Sequence, residues 1–213
     1  MGAGTAEESR QGTQYDRAGW WDEYHDLNVP YIWLEPHASS ITSYTTRYFP
    51  ALLQTAGYAR AIISAIAPQL DPGTREGRVE GRLRRQSVLE SPSTLRYEVL
   101  LDEGVLRLPI GGPKVSYEQI DKVLATIREH KVELRIVPFD CVVQDSNFVV
   151  LQFPEPGPPP SVYVEGLADY QHFNEKEEVD RYLEEVERLK KSAFDFGDSI
   201  GLLERARNAY RDH

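Results

Sequence analysis

Residues 95–112 read LRYEVLLDEGVLRLPIGG, and the rest of the chain is organised around this stretch. Its opening, Leu95–Leu101, alternates and is apolar, as a strand requires. Asp102-Glu103 then marks a strand-to-helix corner running to Leu106, and a charged corner after a buried strand is a common place for a site. Gly111-Gly112-Pro113 turns the chain, because glycine accepts backbone angles closed to other residues and proline cannot continue a regular element. The clearest helical period follows. Tyr117, Ile120, Leu124 and Ile127 fall at i, i+3, i+7 and i+10, with Ser116 as the expected N-cap and His130-Lys131 at the end favoured by the helix dipole. Residues 132–139, VELRIVPF, return to a strand pattern. Strand, helix, strand in this order predicts a parallel βαβ unit.

On the N-terminal side, residues 1–14 have the composition of a disordered tail or linker. Trp20-Trp21-Asp22-Glu23-Tyr24 reads as the start of a short helix. Glu35-Pro36 interrupts the segment 29–38. Residues 39–49, SSITSYTTRYF, read as a strand whose two faces are both partly polar, suited to a cleft or to solvent. Residues 52–67 carry Ala59, Ile62, Ile63 and Ile66 at helical spacing, with Thr55 as N-cap. A second helix is expected over 74–90. Its Arg75, Arg78, Arg82 and Arg85 share one face, and Gly77 and Gly81 weaken it or permit a close backbone approach.

On the C-terminal side, residues 148–153 and 161–165 read as strands joined by PEPGPPP, and these later strands suit antiparallel pairing. Charged amphipathic helices are expected at 175–192 and 198–211. The expected fold is α+β: a mixed sheet of about five strands with helices packed on it, one βαβ unit among them, and a C-terminal helical segment. The expected division is a tail at 1–14, one α/β-type domain at 15–195 and a final helix at 196–213.

With 213 residues, the chain can bury a sizeable core. One cysteine, Cys141, excludes an internal disulfide framework and fits a reducing compartment. No run approaches the roughly 20 apolar residues of a membrane helix, and the N-terminus has no apolar signal core. A cytoplasmic protein without membrane contact is expected. The net charge is −10, a field that repels nucleic acid, so direct DNA binding by this chain is not expected. Residues 155–213 contribute 14 acidic against 8 basic side chains, a solvated helical surface or a docking face for a basic partner.

No catalytic signature stands out. The five histidines lack the spacing of a helical zinc site, and there is no nucleophile elbow, Walker loop or dinucleotide fingerprint. No metal or cofactor is expected. The Gly111-Gly112 turn before a helix could receive a phosphate but is read first as a turn. The Arg75/Arg78/Arg82/Arg85 face is the strongest polar feature. It is either a solvated surface paired with Glu76 and Glu80, or a contact for an anion or acidic partner through guanidinium forks. Asp102 and Glu103 suit the N-terminus of a short helix, or a salt bridge to the Arg face. Trp33 and Tyr44, with Arg47, are candidate walls of a ligand cleft, against core packing as the plainer reading. If the chain is an enzyme, Asp102, Glu103 and Glu165 are the candidate acids or bases, with Arg78 or Arg82 holding an anion.

Several blocks read together resemble a family: RYFPALLQTAGYARAII at 47–63, REGRVEGRLRRQSVL at 75–89, YEVLLDEGVLRLPIGG at 97–112, VELRIVPF at 132–139 and VYVEGL at 162–167. They are similar to the C-terminal domain of unknown function of actinobacterial XRE-type helix-turn-helix regulators. The resemblance implies a domain that senses a small-molecule effector or a small acidic partner protein, beside a separate DNA-binding domain. The polar residues before Trp20 do not suit a helix-turn-helix, so the expectation is a sensor half or a free-standing copy. An enzyme of a small-molecule pathway is the alternative. The charged helices at 175–211 are candidate dimerisation elements.

Overall fold

Six strands form one mixed sheet in a computed structural model that describes residues 31–90, 95–141, 147–165 and 170–211. They are β1 (Ser40–Thr45), β2 (Arg96–Asp102), β3 (Glu133–Val137), β4 (Phe148–Gln152), β5 (Ser161–Glu165) and β6 (Tyr170–Phe173), in spatial order β3-β2-β1-β4-β5-β6. Five helices accompany them: α1 (Ala56–Ile66), α2 (Pro72–Arg85), α3 (Pro113–Arg128), α4 (Lys176–Ser192) and α5 (Phe196–Arg211). This is the expected α+β architecture with its C-terminal helix, enlarged by one strand. The addition is β6, whose four residues YQHF are too few to show a period.

The parallel part is larger than one βαβ unit. β2 runs parallel to β1 on one side and to β3 on the other. The chain therefore makes two crossovers, one through α1 and α2 and one through α3. Beyond β1 the pairing reverses: β4 is antiparallel to β1, β5 to β4 and β6 to β5. β2 does not alternate as expected. Tyr97 to Leu101 are all buried, because both faces of the sheet are covered; Glu98 among them is paired with Lys190 of α4 at 2.7 Å.

The two faces hold two cores. On one, Ile41, Val99, Leu101, Leu134, Ile136 and Leu151 pack with Tyr58 and Ile62 of α1, Ile120 and Leu124 of α3 and Leu203 of α5. On the other, Tyr44, Leu100, Val137, Phe148, Val150 and Val162 pack with Val179, Val186 and Leu189 of α4. Cys141, partly buried, rests against this second core. A third cluster, Ala59, Ile63 and Val79, fastens α2 to α1 away from the sheet. Ile66 is 61% exposed, so the inward face of α1 ends one turn earlier than its spacing suggests.

Local chemistry sets the ends of the elements. Thr55 caps α1 by accepting from Tyr58 N at 3.2 Å, as expected. Asp71 caps α2 through Gly73 N at 2.9 Å and Thr74 N at 3.1 Å. α3 starts earlier than the sequence suggested: Gly112, at φ +89°, is its cap, and Pro113 its first residue. Ser116 lies inside the helix, buried, and its hydroxyl donates to Ile110 O at 3.3 Å. Proline at the first position needs no amide partner, which makes the earlier start cheap.

Candidate functional site

The helices α1, α3 and α5 cover the β3-β2-β1 half of their face, whereas the β4-β5-β6 half meets irregular segments and the end of α2. Regular helix-on-sheet packing stops at the β1–β4 seam. There the structure leaves a cavity of about 80 Å³. Ser43 and Thr45 of β1, Val149 of β4, Tyr163 and Glu165 of β5 and Tyr170 of β6 contribute to its lining from the sheet. Tyr31 and Glu35, then Tyr48 and Gln54, then Arg82 and Arg85 of α2 line it from the other sides.

Arg85 and Glu35 form a two-pronged ion pair: Arg85 Nη2 donates to Glu35 Oε1 at 2.6 Å and Nε to Oε2 at 3.0 Å. Both side chains are 4% exposed. Burial alone would lower the Arg85 pKa, but the Glu35 charge and its hydrogen bonds more than offset this and raise it. The guanidinium also lies over the Tyr31 ring, 5.9 Å from its centroid.

Arg82, one turn earlier, is held differently. Its Nη1 donates to the neutral Gln54 Oε1 at 2.9 Å, and no carboxylate among the described residues pairs with it. Burial, and then the neighbouring Arg85 charge, lower its pKa, although a guanidinium remains charged in a protein. Across the cavity, Glu165 Oε1 accepts from the Tyr48 hydroxyl at 2.7 Å and Oε2 from Asn147 Nδ2 at 2.9 Å. It has no cationic partner among the described residues. Asn147 Oδ1 accepts from Thr46 N at 2.8 Å and from the Thr46 hydroxyl at 3.1 Å, tying the carboxylate to the end of β1.

The phenols stay neutral. Burial first, and then Glu165, raise the Tyr48 pKa, and burial with Glu165 pushes Tyr170 up to about 12. Burial likewise raises Tyr31 and Tyr97. Thr45 is 6% exposed and its hydroxyl has no hydrogen-bond partner among the described residues. A buried, unsatisfied hydroxyl costs about 1–3 kcal/mol. The arrangement therefore offers one cation and one anion that are in no direct ion pair among the described residues, neutral phenols and an open hydroxyl around a small space. It can hold a small polar solute by charge and hydrogen bonds.

Three amides, Gln54 and Gln119 buried and Gln86 partly buried, keep the loop between β1 and α1 in place. Gln54 Nε2 donates to Phe49 O at 2.6 Å, Gln86 Nε2 to Gln54 O at 2.7 Å and Gln119 Nε2 to Leu53 O at 2.8 Å. Gln54 thus both fixes the loop and orients Arg82.

The residues singled out in the sequence separate. Arg82, Arg85, Glu165 and Tyr44 border the cavity, although the Tyr44 ring packs 5.6 Å from that of Phe148 in the second core. Trp33 packs against the first core and is not among the cavity's lining residues. Arg47 is exposed just beyond β1. Arg75 donates to Leu70 O at 3.0 Å, and Arg78 is partly buried on α2. The four arginines thus do not act as one surface. Glu76, expected to pair within α2, instead binds Arg60 of α1 through two hydrogen bonds of 2.5 and 2.7 Å.

Asp102 and Glu103 stand apart from the cavity. Asp102 Oδ1 accepts from Gly104 N at 2.7 Å as the cap of a short 3₁₀ helix, Glu103–Arg107. Glu103 pairs with Arg107 at 2.7 Å within the same short helix rather than with an arginine of α2. Glu35, Thr45, Tyr48, Gln54 and Asn147 were not singled out as site residues from the sequence. The one usable signal was the polar face of β1, which carries Ser43 and Thr45. The tryptophans at 20 and 21 lie outside the described residues.

Among the described residues no group of histidine, cysteine and carboxylate side chains could hold a metal ion. No helix among them is long and apolar enough to cross a membrane. The family described as a domain of unknown function (DUF5753) matches residues 30–205, which includes every strand and the cavity. No curated protein and no solved structure matches the chain.

Proposed function

Because the chain belongs to the DUF5753 family, whose description assigns no activity, we propose its role from the cavity and from the resemblance of its sequence blocks to XRE-type regulators. The chain is the ligand-sensing domain of such a regulator, and the cavity at the β1–β4 seam is where the effector binds. DNA is read by a separate helix-turn-helix domain, in keeping with the net charge of −10. The observation that carries the reading is Arg82. It presents a charged fork to the cavity and is held only by a neutral amide, whereas Arg85 is neutralised by Glu35. A guanidinium so placed binds an anionic group well.

Binding across the seam would tie together the parallel and antiparallel parts of the sheet and the end of α2, the linkage a sensor needs. The test is thermal unfolding with sodium acetate and inorganic phosphate as probes. At least one should raise the midpoint of the native chain, and Arg82→Gln should abolish that shift. Loss of the effect in Arg47→Gln rather than Arg82→Gln would remove the cavity from the argument. A sequence-selective gel shift by the chain alone would overturn the division of labour with a DNA-binding domain.

A further inference from the structure

We propose that the ligand of this cavity is a small zwitterion, whose carboxylate meets Arg82 and whose ammonium meets Glu165. The proposal rests on the ligand-sensing reading and gives its chemistry. Arg82 and Glu165 border the same cavity with opposite charges, and no salt bridge joins them. Each is held by neutral partners, Arg82 by Gln54 and Glu165 by Tyr48 and Asn147. Those bonds occupy one guanidinium nitrogen and one lone pair on each carboxylate oxygen, leaving donor and acceptor capacity on both groups.

A ligand carrying a single negative charge would satisfy Arg82 and leave the Glu165 carboxylate facing it from another wall of the same cavity. Like charges so placed repel. A ligand carrying both charges completes both ends. The size agrees: about 80 Å³ is roughly half of a cavity of about 150 Å³ that accepts benzene. A short chain entering from the mouth fits, and a fused ring does not. Thr45, buried and without a partner among the described residues, offers its hydroxyl at the sheet side.

Calorimetric titration of the whole chain with glycine, β-alanine and γ-aminobutyrate tests this, against acetate, propionate and butyrate and against methylamine, ethylamine and propylamine. One amino acid of the series should bind at least about tenfold more tightly than the acid and the amine of matching length. Glu165→Gln should erase that advantage while leaving acid binding in place, and Arg82→Gln should abolish both. Thr45→Val, close in shape, should weaken binding of the amino acid and serves if either charge variant fails to fold by circular dichroism. Equal binding of acid and amino acid would overturn the zwitterion and leave the anion-sensing site standing. No binding by any probe, phosphate included, would overturn both.

Discussion

Glu35 and Arg85 show how far a single pair shapes this site. Removing one partner of a buried ion pair leaves an uncompensated charge and costs about 3–5 kcal/mol, whereas replacing both with apolar residues often costs little. Glu35→Gln should therefore destabilise the chain by that amount, and Glu35→Leu with Arg85→Met by clearly less than the sum of the single changes. Denaturant unfolding of the native chain, Glu35→Leu, Arg85→Met and the double variant measures the coupling, and additive effects would refute it. His172 makes a second test. Its ring stacks on Tyr163, with centroids 4.5 Å apart at 12°, and although the residue is exposed overall, the partial desolvation of the ring lowers its pKa from the ordinary 6.5. A histidine held neutral contributes stability that is complete above pH 6.5 and is lost as the pH falls through the lower, folded value. The unfolding midpoint should drop over that acid window, and His172→Phe should flatten the drop. An unchanged profile would detach the acid sensitivity from this stack.

At the scale of elements, glycines separate two kinds of necessity. Gly77 sits within α2 with nothing within 4 Å of where a Cβ would be. Gly77→Ala should stabilise the chain by about 0.5–1 kcal/mol, the helix-propensity difference. Gly111 has φ +74°, and a Cβ there would lie 2.9 Å from Val115 Cγ1 and 3.0 Å from Ala61 Cβ. Gly111→Ala must meet both the backbone strain, about 1–2 kcal/mol, and a clash between the entry of α3 and α1. Thermal unfolding should move up for the first substitution and down for the second, and the same sign for both would contradict the packing described. The sequence announced Gly111 as a turn and α2 as a helix. It did not tell which glycine had close neighbours, because one of those at Gly111, Ala61, comes from α1, 50 residues earlier.

At the scale of the whole molecule, α5 completes the sheet. Phe194 N donates to Ile136 O at 2.9 Å and Ile136 N to Ser199 Oγ at 3.0 Å. The outer edge of β3 is therefore paired by the entry to α5, while Leu203 enters the main core. An uncovered edge strand is a template for association with other chains. A chain ending at residue 193 should lose the native fold or associate, which size-exclusion chromatography and circular dichroism would reveal. A stable monomer of native spectrum would show that α5 is dispensable.

By itself the sequence determined the elements and their class, since apolar period, capping residues and turn residues act over a few positions. It revealed the βαβ unit at 95–139, the cap at Thr55, the antiparallel pairing of β4 and β5, and polar residues on β1. Only the tertiary structure decided how the charges combined. Four arginines at helical spacing look equivalent along a chain. In the fold Arg85 meets Glu35 fifty positions away, Arg82 meets Gln54 and the cavity, and Glu76 turns to another helix. Partner choice depends on distances between segments remote in sequence, and a local pattern carries no information about those distances.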